Sequence, residues 1–424
     1  MDLSNSNTAT IRVWGPRHSA EAYALRDFLA RSVVAYHWQE LGSDAEARRV
    51  PGITGLADPQ LPVVQLPGGR ILHAATVAEL AHALGFVAAP AHREYDVSIY
   101  GAGPAGLSAA VYAASEGLRT VLIERDAVGG QAGSSSLIEN YMGFPRGIAG
   151  SDLADRAREQ AVRFGAEILQ IREGVKARFA NGRIIVDLAQ GGQLVARSNI
   201  CATGVEWRRL GLPGEERLLG RGVHYGAGAS EAALCQGETV YVVGGGNSAG
   251  QAAMHFSAFA EEVVMLVRRT DLAATLSTYL VEKIRHQANI RVQTETQVRE
   301  VLGEDCLEAI VVEQIDGSIA TQKASRLFIC IGGAPNTQWA SGTAILRDAS
   351  GYLVTGSDLL GPEGALPSCW EEDRMPYYLE TSVAGSFAAG DVRRSSIKRV
   401  ASAVGEGAMA VAFVHQFLAG ARAT

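Results

Sequence analysis

Apolar and polar positions alternate in short runs over the first 90 residues and predict a small α/β domain. The runs "TIRVWG" and "VVAYHWQEL" are typical of short strands, and "SAEAYALRDFLARS" between them places its apolar residues on one helical face. "LPVVQLPGGRIL" predicts a β-hairpin with a Gly-Gly turn, and "TVAELAHALGF" predicts a closing helix. The predicted element order of domain 1–90 is β-α-β-β-β-α, and the linker-like stretch "VAAPAHREY" follows it.

After the linker, the pattern changes to a strand, a glycine-rich loop, a helix and a second strand. In "DVSIYGAGPAGLSAAVYAASEGLRTVLIERD", Gly101, Gly103 and Gly106 form a G-x-G-x-x-G motif, and Glu124 ends the second strand. Such glycines permit a tight turn and let backbone N–H groups approach a pyrophosphate at the N-terminus of the helix. An acid about 20 residues further on can accept hydrogen bonds from ribose hydroxyl groups. The stretch therefore predicts a dinucleotide-binding unit.

A second unit of the same pattern begins at "ETVYVVGGGNSAGQAAMHFSAFAEEVVMLVRR", where Gly244, Gly246 and Ala249 form G-x-G-x-x-A. Arg268 and Arg269 stand where an acid would contact the ribose 2′-hydroxyl. Guanidinium groups bind a 2′-phosphate that a carboxylate would repel, which favours NADPH over NADH. An arginine that lies over the adenine ring is the alternative. Two dinucleotide sites in one chain indicate hydride transfer from a nicotinamide to a flavin.

The composition narrows the choice of partners. The 424-residue chain has a formal net charge of −7, which argues against a general nucleic-acid partner because phosphate neutralisation requires a basic face. The exception is the basic run "RRSSIKR" at 393–399, for which a solvated loop and a local phosphate role both remain open. The sequence contains no apolar run of about 18 residues and starts with polar residues. We therefore expect a soluble cytoplasmic protein with no membrane partner.

The five cysteines include no C-x-x-C pair and no His spacing typical of zinc, so we expect no metal site. Cys201 and Cys330 lie in apolar runs and are expected in the core. Cys306 is expected at a loop or strand edge, and only Cys235 and Cys369 lie near segments that suggest chemistry.

From about Tyr95 to Leu418 the chain resembles the low-molecular-weight thioredoxin reductases and their flavin-reductase relatives. The resemblance is carried by the first glycine motif, by "GGQAGSSSLIENYMGFPRGIAG", by the crossovers "ICATGVEWRRLGLPGEE" and "CIGGAPNT", and by "GSFAAGDVRRSSIKRVASAVGEGAMAVAFVHQFL". It implies an α/β fold with two Rossmann-like domains. An FAD domain (91–205 and 333–424) is interrupted by an NAD(P)H domain (206–332), and the resemblance further implies a homodimer.

The resemblance also implies which residues contact the cofactors. Asp391 should bind the ribityl chain, and a helix that starts near Ala401 should aim its positive end at the flavin. The candidate FAD contacts are Gly101, Gly103, Pro104, Ala105, Gly106, Glu124, Arg125, Gly130, Gln131, Asn140, Thr203, Gly204, Gly390, Asp391, Arg399, Val400 and Ala401. The candidate NADPH contacts are Gly244, Gly246, Asn247, Ser248, Ala249, Arg268, Arg269 and Gly332.

Domain 1–90 resembles a glutaredoxin-like member of the thioredoxin fold. That family places a redox cysteine pair at the start of its first helix. The corresponding stretch, "GPRHSAEA" at 15–22, contains no cysteine. We therefore expect this domain to serve in docking or structure rather than in redox chemistry.

Three departures from the reductase pattern matter for function. The dithiol motif Tyr-Cys-x-x-Cys-Asp of the family is replaced by "YGAGAS", with Gly226 and Ala229 at the cysteine positions. The further arginine of the family's NADP signature is missing from "VRRTDLAA". The loop 356–382 is longer than its family counterpart, and a surface or dimer loop and a lid over the flavin are both open interpretations.

The missing dithiol shifts attention to the residues beside it. The candidate catalytic groups of this segment are His224, Tyr225, Ser230 and Glu231. His224 could donate a proton to a substrate, whereas Ser230 and Glu231 could simply cap or charge the first turn of a following helix. Small residues in place of two sulfur-bearing side chains should also open room beside the flavin.

These observations favour an NAD(P)H-dependent FAD oxidoreductase without a redox dithiol. Its reduced flavin would pass electrons to oxygen, a quinone, a dedicated metabolite or a protein docked near domain 1–90. One alternative is a disulfide reductase that uses Cys235 as a nonstandard thiol. The other is a non-catalytic flavin-bearing sensor or binding module.

Overall fold

The computed structural model describes residues 10–180, 182–189 and 191–420. The chain folds into two compact units. Unit 1 joins the segment that ends at Leu84 with Arg209–Gly332, and unit 2 joins Gly85–Arg208 with the segment that begins at Gly333. The predicted first domain falls, up to Leu84, within the unit that also contains the second nucleotide-binding region, and its identity as a separate domain stays a prediction.

The first segment of unit 1 contains the predicted elements and one additional short helix. A four-stranded sheet has the order β2-β1-β3-β4, in which β2 is parallel and β3 antiparallel to β1. The main helix begins after Ser19, whose hydroxyl accepts a hydrogen bond from the N–H of Ala22 at 3.0 Å. The elements are β1 (Ile11–Pro16), α1 (Ala20–Arg31), β2 (Tyr36–Leu41), α2 (Asp44–Ala47), β3 (Val63–Gln65), β4 (Ile71–Leu72) and α3 (Val77–Ala83).

The first segment of unit 2 builds most of a sheet with the strand order β7-β6-β5-β10-β9-β8. Strands β6, β7 and β10 are parallel to their neighbours around β5, and their apolar side chains are buried because helices cover the sheet. The elements are β5 (Tyr95–Tyr100), α4 (Pro104–Ser115), β6 (Thr120–Glu124), α5 (Gly130–Gly133), α6 (Gly150–Arg163), β7 (Glu167–Gln170), β8 (Gly174–Ala180), β9 (Arg183–Leu188), β10 (Gln193–Cys201) and β11 (Val205–Trp207).

The second segment of unit 1 has a parallel sheet of order β12-β19-β13-β14-β15 and a separate three-stranded antiparallel sheet, β16-β17-β18. The elements are α7 (Glu215–Leu218), β12 (Val223–Tyr225), β13 (Thr239–Val243), α8 (Asn247–Phe256), β14 (Glu262–Leu266), α9 (Thr278–His286), β15 (Ile290–Gln293), β16 (Thr296–Leu302), β17 (Ala309–Gln314), β18 (Ile319–Lys323) and β19 (Arg326–Ile329). A 3₁₀ turn, Ala229–Leu234, lies between β12 and β13.

The last segment completes unit 2. Its elements are β20 (Gly333–Pro335), β21 (Ser386–Ala388) and α10 (Val400–Gly420), and β21 pairs in parallel with β10. Helix α10 packs closely on α4 at Gly407. A Cβ added there would lie only 2.1 Å from the carbonyl oxygen of Ala105, so the close approach requires glycine. The start of α10 at Val400 confirms the predicted helix near Ala401. The α/β fold with two Rossmann-like domains is confirmed.

The end of loop 356–382 is organised around a buried carboxylate. Both Nη atoms of Arg374 donate to Glu380, at 2.7 and 2.8 Å, and the side chain of Glu380 is fully buried. The same carboxylate accepts from the N–H groups of Tyr377 and Gly385. Tyr377 also stacks on Phe413 of α10, with ring centroids 5.5 Å apart. The lid interpretation of this loop stays a prediction, but its base is firmly anchored.

Within the described part of the chain, no helix combines the length and apolar character that crossing a bilayer requires.

Candidate functional site

The first glycine motif forms a tight turn between β5 and α4 in unit 2. Gly101 has a φ of +99°, and a Cβ there would lie 2.4 Å from the carbonyl oxygen of Ala202 at the end of β10. A Cβ at Gly106 would lie 1.8 Å from the carbonyl oxygen of Gly101. The motif thus lies between β5 and β10, where the strand order reverses, which is the usual place for a ligand in such sheets.

The N-terminus of α4 is suited to bind a phosphate. Pro104 starts the helix, and the preceding Gly103 offers no side chain to cap its first N–H groups. These N–H groups and the positive end of the helix dipole favour an anion at this end. Ala105 follows as a buried residue of the first turn.

Glu124 contacts the same loop. Its carboxylate accepts hydrogen bonds from the N–H of Ala102 at 2.7 Å and from that of Asp126 at 2.9 Å. The carboxylate therefore fixes the glycine loop, and contact with a ribose stays a prediction. The neighbouring Arg125 pairs with Glu206 at 2.5 Å.

The second predicted FAD segment lies directly beside the glycine loop. A Cβ at Gly130 would lie 3.1 Å from the Cα of Gly103. The side-chain amide of Gln131 donates to the carbonyl oxygen of Val205 at 2.8 Å, and Asn140 is exposed. The structure therefore brings Gly130 and Gln131 to the motif from a part of the sequence about 30 residues further on.

The two crossover segments meet in unit 2. The hydroxyl of Thr203 donates to the carbonyl oxygen of Asn336 at 2.7 Å, and the N–H of Asn336 donates to the carbonyl oxygen of Gly204 at 3.0 Å. Strands β11 and β20 pair antiparallel beside this contact. The predicted FAD contacts Thr203 and Gly204 are thus fixed by the segment that returns to unit 2.

The closing motif depends on a buried ion pair that sequence analysis missed. Glu406 of α10 accepts from the N–H of Gly390 at 2.6 Å and from Arg393, whose Nη2 lies 2.9 Å away. Arg393 is 4% exposed, so it is not part of a solvated loop, and the solvated-loop interpretation of the basic run is wrong at this residue. Arg393 also donates to the hydroxyl of Thr355 at 2.7 Å and lies over the ring of Tyr378, so partners from several parts of unit 2 account for its burial. Burial raises the pKa of Asp391, and Lys398 and Arg399 oppose this rise.

A cavity of about 830 Å³ opens in unit 2 beside these predicted contacts. Its wall includes Pro104, Gly129 and Val400, and it continues past Tyr141 and Phe144. Mostly apolar clefts of this size are typical of cofactor sites. Of the predicted FAD contacts only Pro104 and Val400 line this cavity, so the fit to a flavin dinucleotide rests on the glycine loop and the uncapped N-terminus of α4.

The second glycine motif has the same geometry in unit 1. Gly244 has a φ of +136°, and a Cβ there would lie 2.4 Å from the carbonyl oxygen of Cys330, just past the end of β19. Gly246 precedes α8 and gives it no side-chain cap. Asn247 exchanges two hydrogen bonds with Ser277, at 2.8 and 2.9 Å, and so holds the loop in place. Ala249 is fully buried.

The remaining predicted NADPH contacts lie at exposed or open positions. Arg268 and Arg269 follow β14 and are both exposed, as is Ser248 at the start of α8. Gly332 has a φ of +88°, and no described atom lies within 4 Å of an added Cβ there. The two guanidinium groups are available to a ligand at the edge of the sheet where Gly244 and Gly246 lie.

His224 is buried rather than presented to a substrate. Its side chain is 2% exposed, and its ring lies 4.6 Å from that of Tyr23 and 5.1 Å from that of Phe328. Neither ring nitrogen has a hydrogen-bond partner among the described residues. Burial lowers the pKa of His224 to about 4, with Arg326 and Arg26 adding to the effect and Glu231 opposing it. A neutral, enclosed imidazole is poorly suited to donate a proton.

Tyr225 has a structural environment as well. Its hydroxyl donates to Glu215 at 2.6 Å and accepts from the N–H of Leu210 at 2.7 Å. Burial and the hydrogen bond to Glu215 hold the pKa of this phenol well above its ordinary value.

Neither Ser230 nor Glu231 caps the following turn, which corrects that part of the expectation, whereas Glu231 does lie in its first turn, as expected. The 3₁₀ turn Ala229–Leu234 is preceded by Gly228 and has no side-chain cap. Glu231 is 1% exposed and pairs with Arg26 of α1 at 2.9 Å and with Arg326 of β19 at 2.7 Å. Nothing in the local sequence signals these partners, because they come from distant parts of the chain. The predicted opening beside the flavin stays a prediction.

The five cysteines are all free. Cys201 and Cys330 are buried, as predicted, and Cys306 lies in the loop between β16 and β17. Cys235 is fully buried, and its Sγ donates to the carbonyl oxygen of Glu231 at 3.2 Å. Burial raises the pKa of the Cys235 thiol to about 11, so little thiolate forms near neutral pH. Among the described residues, no three His, Cys, Asp or Glu side chains could hold a metal ion together.

Comparisons with known proteins point to one family. The model of the pyridine nucleotide-disulphide oxidoreductases matches residues 95–407. Thioredoxin reductase of Treponema pallidum is 35% identical over 75% of this chain and 95% of its own length. A 34.2 kDa protein in the rubredoxin operon of Clostridium pasteurianum is 32% identical over 77% of this chain and 98% of its own length. The crystal structure of T. acidophilum thioredoxin reductase is 28% identical, with a TM-score of 0.67, over 77% of this chain and 99% of that one.

We predict that Gly103→Ala weakens flavin binding without unfolding the protein. Gly103 has a φ of −73°, which alanine adopts readily, and among the described residues an added Cβ would meet only the Cα of Gly130, at 4.0 Å. The methyl group would instead occupy the space that a pyrophosphate needs beside the loop. Flavin affinity should fall at least about tenfold, or about 1.4 kcal/mol, while the stability of the apoprotein changes by no more than about 1 kcal/mol.

Flavin titration and urea unfolding of the apoprotein measure the two effects. Gly420→Ala, at the far end of α10, is the matched control and should leave both values unchanged. Unaltered flavin affinity in Gly103→Ala would show that the loop does not hold the pyrophosphate.

We also predict that His224 makes unit 1 sensitive to acid. Its pKa is about 4 in the folded protein against an ordinary 6.5, so the unfolded chain binds the proton more tightly. Stability should therefore fall as the pH drops below 6.5, by up to about 3 kcal/mol near pH 4. His224→Phe should remove this part of the loss, because phenylalanine can stack on Tyr23 and Phe328 without a charge.

Urea unfolding of the protein between pH 7 and pH 4.5 measures how the free energy of unfolding changes with pH. Hydrogen exchange in β12 and β13 shows whether the change arises in unit 1. His37→Phe, at an exposed position of β2, is the control and should keep the wild-type slope. Equal slopes for wild type and His224→Phe would rule out this role.

Proposed function

Since this chain belongs to the pyridine nucleotide-disulphide oxidoreductase family, we propose that it oxidises NAD(P)H through FAD and needs no redox-active dithiol. The observation that carries the proposal is the repeated glycine loop. Each unit places such a loop where the strand order of its sheet reverses, and each loop leads to an uncapped helix N-terminus. Two intact dinucleotide sites alongside a dithiol segment without sulfur favour transfer from flavin directly to an acceptor.

The chain's own residues would perform binding and orientation. In unit 2 the N-terminus of α4 would hold the pyrophosphate, Glu406 and Arg393 would fix Gly390, and the N-terminus of α10 would provide a positive dipole. In unit 1 the start of α8 would hold the second pyrophosphate. When bound, FAD supplies the capacity to accept a hydride from reduced nicotinamide and to release its electrons singly or in pairs.

The acceptor is proposed to be a small molecule, such as oxygen, a quinone or a dedicated metabolite, or a protein. A disulfide reductase that uses Cys235 is disfavoured, because this thiol is fully buried and its pKa is raised to about 11. We further expect a homodimer in the cytoplasm, as the resemblance to the reductases implies.

An anaerobic titration with NADPH tests the central proposal. We expect one hydride equivalent to bleach each flavin, because no second redox centre takes electrons. Cys235→Ser should give the same stoichiometry and the same turnover with small acceptors. Uptake of a second equivalent that disappears in Cys235→Ser would establish the disulfide mechanism instead. If NADPH bleaches the flavin but no acceptor is turned over, the alternative of a non-catalytic flavin-bearing sensor is favoured.

We predict that the double substitution Arg268→Gln and Arg269→Gln raises the KM for NADPH at least about tenfold, because charge-assisted hydrogen bonds to a phosphate are worth about 1.5–3 kcal/mol. The KM for NADH should stay within about twofold, since NADH carries no 2′-phosphate. Steady-state kinetics with both nucleotides provides the measurement. Arg299→Gln, an exposed arginine of β16, serves as the control. Equal loss with both nucleotides would mean that the arginines bind the adenine instead.

A further inference from the structure

We propose that residues 10–84 are a built-in cover for the surface formed by residues 224–238 and Arg326, and that they remain docked while the protein works. This surface includes the segment in which the dithiol is replaced by glycine and alanine. A separate protein partner therefore does not bind there. The inference is independent of the proposed function, since it concerns only contacts within unit 1.

The centre of the contact is a buried carboxylate between two guanidinium groups. Glu231 of the covered surface pairs with Arg26 of α1 at 2.9 Å and with Arg326 of β19 at 2.7 Å. All three side chains are at most 2% exposed. A buried charge left without a counter-ion is strongly unfavourable. Arg326 donates a hydrogen bond to Glu231, and Arg26 completes the site as an ion pair without hydrogen-bond geometry. The cover thus supplies one of two cations that the surface requires.

A second acid extends the network toward the edge of the contact. Glu238 pairs with Arg17, just before α1, and with Arg326, whose Nε lies 3.0 Å from the carboxylate. The hydroxyl of Ser325 donates to the same carboxylate at 3.0 Å. Two acids of the covered surface therefore meet two arginines of the cover, and Arg326 joins both acids. A foreign protein would have to reproduce this arrangement of charges to take the place of the cover.

Aromatic and backbone contacts complete the packing between the cover and the second segment of unit 1. Tyr23 of α1 lies on His224, which in turn stacks on Phe328. At Gly220, just before β12, an added Cβ would lie 2.8 Å from the Cα of Ala20. Main chain thus approaches main chain so closely that nothing fits between the cover and this part of the surface.

Hydrogen exchange of the full-length flavoprotein tests the proposal, in the oxidised form and with excess NADPH. In the wild type, amides of α1 and of 229–235 should be protected to the same degree under both conditions. His224, followed by NMR, should stay neutral down to about pH 4. Loss of protection in α1 with NADPH, or titration of His224 near its ordinary pKa of about 6.5, would overturn the proposal.

Glu231→Gln should release the cover, because it leaves Arg26 and Arg326 without their shared carboxylate. Exchange in α1 and in 229–235 should then accelerate about a hundredfold, while β13 and β14 keep their protection. Glu262→Gln is the matched control, since Glu262 forms an exposed ion pair with Arg291 at 2.8 Å in the same unit. Unchanged exchange in Glu231→Gln would contradict the proposal.

A second variant tests the proposal if Glu231→Gln does not fold. The double substitution Arg26→Met and Glu231→Leu removes two of the three charges at the centre, and Arg326 keeps its pairing with Glu238. Apolar replacement of buried ion pairs is commonly tolerated. The cover should therefore remain docked, with α1 and 229–235 protected as in the wild type. Rapid exchange of α1 in this folded variant would overturn the proposal.

Discussion

Burial of the Glu231 carboxylate is the constraint on which the arrangement of unit 1 depends. An ion removed from water keeps its charge only where cations replace the lost hydration. Here the cations come from α1, a helix of the first segment, and from β19, a strand of the parallel sheet, which are far apart in sequence. The requirement for both cations at once fixes the position of the first segment on the nucleotide-binding segment. Apolar packing alone, being non-directional, would not specify that position so narrowly.

Each nucleotide-binding fold in turn depends on contact between a glycine and the end of a neighbouring strand. Gly101 leaves room for the carbonyl of Ala202, and Gly244 leaves room for that of Cys330. Both glycines adopt positive φ angles, so any side chain there would be strained as well as crowded. The same geometry in two units explains why the same short motif appears twice in the sequence. The first glycine of the motif is therefore required by packing against a neighbouring strand as well as by ligand binding.

Local patterns were therefore enough to predict both nucleotide folds and the elements of the first segment. The strand-glycine-helix signals are short and repeat a known geometry, whereas the start of α10, within one residue of its expected position, was implied by the family resemblance. The pairings of Glu231 and Arg393 could not be predicted. Each charge lies in a stretch that is typical of solvent-exposed residues, and its partner comes from a part of the chain that no local pattern connects to it. Burial of a charge is a property of the tertiary fold.

The segment that lacks the dithiol makes specific packing contacts of its own. A Cβ at Gly228 would lie 2.2 Å from the ring of Phe328, so glycine is required there by the same aromatic side chain that stacks on His224. His224, Gly228 and Glu231 are thus each fixed by contacts within unit 1, whatever chemistry the chain performs. Without sulfur to position, this segment is used for packing within unit 1. Loss of sulfur and docking of the first segment are therefore mutually compatible features of one interface.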